Sequence, residues 1–396
     1  MTARRFATYS LAITAAALPA YNLRFHAGPL PTTLLEVLVL VTVATYGWTL
    51  WSERRRPAAR TPYDIPIALF LVAGVIGIVV APDHVRALGI YRAYFIDAIA
   101  VFYIAVDLIR TRAQLHTVLA VAGVAASSFA LGQIISFAIV FAHHAIQIDD
   151  PPAFLNTSSN QAAMYIEPLL AFAGGFALYP ETSRQRWIAL AITVLLLTAF
   201  VLTLSRAGYI AVAVLAVIAV LSLPRQVRLW AVGGLAVVLL AVVELPFFLP
   251  RLATFAHSFA LRQSIYSQTL RMLAQRPVLG AGISGFPIRV APFRPQGEEI
   301  ELYPHNIWLT TWSELGLLGV VSFALIFLGL IWRGARGLLG ARPEVHRALA
   351  WGATGALVLY LVHGMFDTPY WKNDLAVEFW LIAALQVIAL RGVRDG

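Results

Sequence analysis

The chain has 396 residues, 60% of them hydrophobic and 12% charged, and a mean hydropathy of +0.76. Soluble domains carry about twice that charged fraction, which excludes an ordinary soluble fold and makes nucleic acid a poor account of the formal net charge of +9. Cysteine is absent, so there are no disulfides and no thiolate metal sites.

Arg4 and Arg5 precede an apolar run from Phe6 to Tyr21, which reads as an uncleaved first helix rather than a signal peptide, given the spans that follow. Those spans are expected near 31–51, 64–81, 89–109, 115–142, 159–179, 187–204, 208–223, 228–249, 305–332, 346–366 and 374–390. Most are long enough to cross a hydrocarbon core of about 30 Å. Twelve spans put both termini on one side. Of the 29 basic residues, 18 fall in segments on that side and only 5 in the short segments opposite. Positive charge stays inside, so the termini are expected in the cytoplasm. The weak alternation of an outer-membrane barrel is missing. The expectation is an all-α polytopic membrane protein with a single integral domain over 1–396.

One long polar interruption, about 250–304, separates the ninth and tenth spans and belongs outside. Within it Leu261, Ile265, Leu270 and Leu273 recur near helical spacing, predicting an amphipathic helix over 257–275. Arg262 and Tyr266 share one face of it at i, i+4, whereas Arg271 points elsewhere, toward lipid headgroups. Pro277 ends the helix, and Gly280 and Gly282 offer a turn whose amides can face an anion.

Several ionisable residues stand beside or within apolar sequence. Arg206 sits between two spans, where a charge is costly unless it lines a wet cavity, and Gly208 leaves room for a close neighbour. His305 follows Pro304 and opens the tenth span with Asn306; Glu314 lies nine residues on and is expected to face the bundle and a partner such as an arginine. Gly316 and Gly319 give a small-residue face for helix packing. Of the other ionisable residues in the spans, Glu36, Glu167, His363, Asp367 and Glu378 fall in the outer half of their helices, where one outward-facing polar pocket would collect them, with Asp97 less clearly so. Glu36 and Glu378 read as pairwise helix glue. Asp149 and Asp150, and Glu298, Glu299 and Glu301, read as solvated rims rather than cation ligands.

These residues resemble the signature of the O-antigen ligase (WaaL) family, within the group that also holds O-antigen polymerases and O-oligosaccharyltransferases. His305-Asn306 followed by Gly316-Leu317-Leu318-Gly319 is similar to its central motif. The likeness extends to Leu204-Ser205-Arg206-Ala207-Gly208, to Arg262 before Tyr266 and Pro277-Val278-Leu279-Gly280, to Asp367, and to the stretch from Gly28-Pro29 to Glu36. Relatives often carry Trp where this chain has Tyr266. The resemblance implies a multi-spanning (GT-C-type) glycosyltransferase of a Gram-negative inner membrane. It would move O-antigen from undecaprenyl diphosphate to a sugar of lipid A–core, with a periplasmic active site and without metal or other cofactor.

The resemblance also points to Arg206, Arg262 and His305 as the catalytic residues. Fixed guanidiniums suit a departing diphosphate, since arginine stays ionised and grips phosphate with two donors. His305 could take the proton of the attacking hydroxyl, giving inversion, or could donate a hydrogen bond to the diphosphate; nearby arginines would favour its neutral form either way. Tyr266, Asn306, Glu314 and Asp367 are candidate substrate-binding or orienting residues. A polymerase using the same donor, and a transporter of an anionic solute, are the competing readings.

Overall fold

The computed structural model describes residues 2–27, 30–147, 150–155, 158–244, 248–253, 255–340 and 344–394. Gly28, Pro29 and Asp149, and Arg342 among the inner arginines, lie outside them. A helix occurs at each of the twelve expected stretches. In chain order come α1 (Ala3–Ala16), α2 (Leu34–Ser52), α3 (Asp64–Val80), α4 (His84–Tyr91), α5 (Ala98–Leu108), α6 (Arg112–Ala142), α7 (Ser159–Leu178), α8 (Ser183–Val201), α9 (Arg206–Ser222) and α10 (Arg225–Val243). The long polar stretch holds α11 (Phe248–Ala253), α12 (Phe255–Gln275) and α13 (Phe286–Val290), before α14 (Ile307–Leu338), α15 (Glu344–His363) and α16 (Asn373–Arg391). A π-helical run over Arg92–Asp97 joins α4 and α5 into one span. Among the described residues, eight helices are long and apolar enough to cross a membrane, and α3 and α9 are shorter apolar helices. This is an all-α polytopic membrane protein.

Local chemistry sets the helix starts. The second span begins at Leu34 rather than 31, because residues 30–33 pair with Arg24–Ala27 as an antiparallel hairpin. Thr33 and Glu36 then close a capping box at its mouth. The tenth span begins at Ile307, after His305 adopts a left-handed φ of 52° and Asn306 caps the helix by accepting from the amides of Trp308 and Leu309.

α15 and α16 form the centre of the bundle, with 78% and 89% of their apolar windows buried. A helix apolar on all sides belongs in such a core. α7 crosses α15 closely: a Cβ on Gly175 would come within 2.5 Å of the Ala348 carbonyl, and one on Gly352 within 2.9 Å of Phe172 Cα. Small residues at such crossings let backbones approach where no hydrophobic force separates protein from lipid. Around the N-terminal end of α16, Phe70, Phe95, Phe323, Tyr370, Trp371 and Phe379 interlock as an aromatic floor. The turn between α15 and α16 rests on that floor.

α14 is broken. Gly316 has φ 68° and ψ −167° in its middle, and there Leu317 N donates to the Val278 carbonyl at 2.9 Å. A Cβ on Gly316 would lie 2.1 Å from that oxygen, so only glycine admits the incoming loop. Gly316 therefore serves a backbone crossing from the long polar loop rather than a helix–helix face. Gly319 likewise looks back at Leu315 of its own helix.

Candidate active site

The turn that follows α15 presents three consecutive carbonyls, and other elements take all three. Gly364 O accepts from Ile307 N at 2.7 Å, Met365 O from Tyr266 Oη at 2.7 Å and Asn306 Nδ2 at 3.2 Å, and Phe366 O from Arg262 Nε at 2.8 Å. Arg262 and Tyr266 thus use one face of α12 to hold the α15–α16 turn, as their spacing predicts. Burial raises the Tyr266 pKa, so its hydroxyl stays a donor.

Arg206 arrives from another direction, on the first turn of α9, and its guanidinium donates to Ser258 Oγ at 2.6 Å. Ser258 O also accepts from Arg262 Nη1 at 3.4 Å. Both arginines line a cleft whose walls include Asn160, Phe259 and Phe366. No carboxylate pairs with Arg262 among the described residues. Gly208 makes room behind this arrangement: a Cβ there would meet Glu167 Oε1 at 2.7 Å and the Phe200 ring at 2.8 Å. The close neighbour expected at this glycine is therefore protein.

His305 reaches the cleft through Asp367. Its Nδ1 lies 3.3 Å from Asp367 Oδ1, and its Nε2 lies 3.1 Å from Glu301 Oε2. Burial pushes the imidazole toward its neutral form, but hydrogen bonds to Asp367 and Glu301 outweigh it and lift the pKa from 6.5 to about 10. The expectation that arginines would keep this ring neutral fails, because the groups facing both nitrogens are carboxylates. His305 is an imidazolium at neutral pH. Burial alone would raise the Asp367 pKa; its hydrogen bond to His305 and the nearby cations hold it far below the carboxylate range instead.

Asp367 is itself held. Its Oδ2 accepts from Asn160 Nδ2 at 2.7 Å and its Oδ1 from Thr368 N at 2.8 Å. Since the carboxylate can only accept, the amide orientation of Asn160 is settled, and its Oδ1 takes the Ser205 hydroxyl at 2.5 Å. Ser205 also caps α9 by accepting from Gly208 N at 3.2 Å. One chain of hydrogen bonds therefore runs from His305 through Asp367 and Asn160 to the helix start that carries Arg206.

The other candidates stand elsewhere. Glu314 is fully buried, and its carboxylate takes the backbone amide of Ser284 rather than an arginine. It anchors the 281–286 loop against α14. The Gly280–Gly282 turn offers little to an anion, since the amides of Ala281 and Ile283 are spent on Ser313 O and Gly77 O. The expected outward polar pocket is divided, and Glu36 and Glu378 are paired with neighbouring helices as helix glue would be. Glu36 pairs with Arg92 at 2.7 Å, Glu378 with Tyr360 at 3.0 Å, and His363 with Glu167 at 2.7 Å. Only Asp367 touches the cleft residues. The acidic stretch expected as a solvated rim is engaged as well, with Glu298 accepting from Ser264 and Gln268 of α12, and Glu301 holding His305.

Residues 191–324 match the family model described as O-antigen ligase (Wzy_C). Over that stretch the chain is similar to the O-antigen ligase family. No curated protein matches the chain. The stretch that matches the O-antigen ligase model carries Arg206, Arg262, Glu301 and His305, whereas Asn160 on α7 comes before it and Asp367 in the α15–α16 turn after it. Two sites missed from sequence, Asn160 and Glu301, share a cause. Asn160 is an uncharged residue at the head of an apolar run, and Glu301 belongs to an acidic stretch like any solvated loop.

Proposed function

We propose that this protein is a member of the O-antigen ligase family and transfers an O-antigen glycan from undecaprenyl diphosphate to a sugar hydroxyl of lipid A–core. In this reading the chain is one membrane domain of twelve spans in the inner membrane of a Gram-negative bacterium. Its termini are cytoplasmic, and the 250–304 stretch lies over a periplasmic site. The observation that carries the reading is the meeting of three cationic side chains from separate segments. Arg206 and Arg262 line one cleft, and His305, protonated between two carboxylates, is tied to it through Asp367 and Asn160.

Breaking a glycosyl–phosphate bond leaves charge on a diphosphate, and preorganised donors aimed at that charge are the largest source of rate in such sites. The two guanidiniums grip phosphate oxygens, and the imidazolium, its two N–H groups held by Asp367 and Glu301, adds fixed positive charge beside them. The base role considered for His305 falls away, since a ring protonated on both nitrogens accepts nothing, and so does direct donation to the diphosphate, since carboxylates hold both N–H groups. Attack from the face opposite the diphosphate inverts the anomeric carbon.

Purified protein in liposomes with lipid-linked glycan and lipid A–core tests this directly. The expected result is glycan transfer to the core lipid with EDTA present. Extension of one lipid-linked glycan by another would make the protein a polymerase, and anion flux without transfer would make it a transporter.

A further inference from the structure

A displacement of this kind requires an acceptor for the proton of the attacking hydroxyl, and His305 is not free to serve. We infer that Glu301 is that acceptor, an assignment that rests on the transferase function proposed above.

Elimination narrows the field. Both oxygens of Asp367 are taken, by Asn160 on one side and by Thr368 N and His305 on the other, and its side chain is only 11% exposed. Tyr266 donates its hydroxyl to backbone carbonyls. Glu298 is spent on Ser264 and Gln268, at 2.8 and 2.6 Å. Glu314 is fully buried, with one oxygen on the Ser284 amide and the other shut off from solvent.

Glu301 differs from all of these. One oxygen rests 3.1 Å from His305 Nε2, the side chain is 40% exposed, and among the described residues Oε1 has no hydrogen-bond partner. The segment that carries it is pinned on both sides. Glu298 holds α12, Tyr303 packs its ring against Trp371 with centroids 6.2 Å apart, and Tyr266 bonds the His305 carbonyl at 3.0 Å. A carboxylate on a fixed segment, open on one oxygen and steered by an imidazolium on the other, has the geometry of a general base.

The charged groups around this pair come from every neighbouring element. Arg262 on α12 attracts Glu301, Asp367 in the α15–α16 turn faces His305, and His363 at the end of α15 and Lys372 before α16 both attract Asp367. Glu167 on α7 pairs with His363. The hydrogen bond to His305 holds the Glu301 carboxyl below its ordinary value, so it is ionised and ready at neutral pH. The step balances. The acceptor oxygen forms a bond to the anomeric carbon, and its proton passes to Glu301 Oε1. The bond from that carbon to the phosphate oxygen breaks, and its electron pair leaves with the diphosphate.

The test compares wild type, Glu301→Gln and Glu301→Asp in the liposome assay across pH. Glu301→Gln keeps the shape and, through Asp367, the charge of His305. It is expected to lower kcat about 100-fold or more while KM for both substrates moves less than threefold, and to abolish the acid limb of the kcat/KM profile. Glu301→Asp restores part of kcat. Formate added to Glu301→Ala restores activity in proportion to its concentration. The assignment is overturned if Glu301→Gln retains kcat within threefold, or if it lowers the donor KM, which would make Glu301 a competitor of the diphosphate for His305. A wild-type protein that transfers nothing would instead remove the transferase reading itself.

Discussion

Asp367 Oδ1 lies 3.3 Å from His305 Nδ1, and the aspartate comes to that contact with Asn160 and Thr368 already bonded to it. The histidine and aspartate are 62 positions apart in the chain yet set each other's charge. His305 gains a proton on folding, because its pKa rises from 6.5 to about 10. A group raised in this way contributes stability that is complete below its unfolded pKa and is lost as pH rises through its folded one. Transfer activity is therefore expected to hold into the alkaline range and fall through about 10, whereas thermal stability declines progressively from about 6.5 and levels off near 10. Asp367→Asn leaves only Glu301 to support the cation, so its alkaline limb is expected at least one pH unit lower. Parallel pH–rate and pH–melting curves for the two proteins check this; coincident curves would dissociate Asp367 from the charge of His305.

Arg206 and Arg262 share a partner residue, Ser258, through its hydroxyl and its carbonyl. Their separation is therefore set by the helix between them rather than by the ligand. Removing one preorganised donor from a developing oxyanion costs about 10²–10³ in rate. Arg206→Ala and Arg262→Ala are each expected to lose at least that in kcat while the protein still inserts. Lysine should restore little, because a single ammonium does not reproduce a two-donor grip. Arg271 lies on the open groove beyond Tyr266 and Leu270, and Arg271→Ala is expected to change kcat less than threefold. Single-turnover transfer with all four variants measures the contrast.

Asn160 satisfies a donor and an acceptor at once, which neither alanine nor aspartate reproduces. Asn160→Ala leaves Asp367 Oδ2 and the Ser205 hydroxyl without their partner, and an unsatisfied buried polar group costs about 1–3 kcal/mol. Asn160→Asp keeps the Ser205 bond but sets a second carboxylate against Asp367. Both are expected to reduce kcat about tenfold. They should differ in the alkaline limb, which moves down in the alanine variant and up in the aspartate one. A pH–rate profile with the same limb in both would show that Asn160 does no more than support the fold.

The sequence made the helices readable because apolar length is written locally, and a helix occurs at every stretch where one was expected. The pairing of Arg262 with Tyr266 was legible for the same reason, being a matter of i, i+4 spacing. What surrounds His305 was not, since both of its carboxylates reach it by tertiary contact and no local pattern marks them. Glu301 lies only four residues away, yet in an acidic loop nothing separates a residue facing water from one facing a ring. The hairpin at Arg24–Thr33 was hidden by its length, four residues to a strand. Gly316 carried a true signal with the wrong geometry attached. Glycine in a membrane helix ordinarily means close helix packing, and only the position of the 276–285 loop shows that a carbonyl, not a helix, needs the space.

That loop gives the last prediction. Ala281 N donates to Ser313 O at 2.6 Å and Leu317 N to Val278 O at 2.9 Å, so α14 trades helical hydrogen bonds at Gly316 for bonds to the loop. A side chain at Gly316 meets two penalties. The positive φ costs a non-glycine residue about 1–3 kcal/mol, and overlap with the Val278 carbonyl in a packed interior adds about as much again. Gly89 provides the control, with nothing within 4 Å of its added Cβ and an ordinary position on α4, where alanine is expected to stabilise by about 0.4–1 kcal/mol. Gly316→Ala should lower the melting temperature and speed amide exchange across 276–285, whereas Gly89→Ala should leave both unchanged or slightly improved. Because the N-terminal half of α14 is capped by Asn306, beside His305, the loosened kink should also lower kcat. If Gly316→Ala melts like wild type, α14 is able to run straight, and the loop is not what holds its N-terminal half in place.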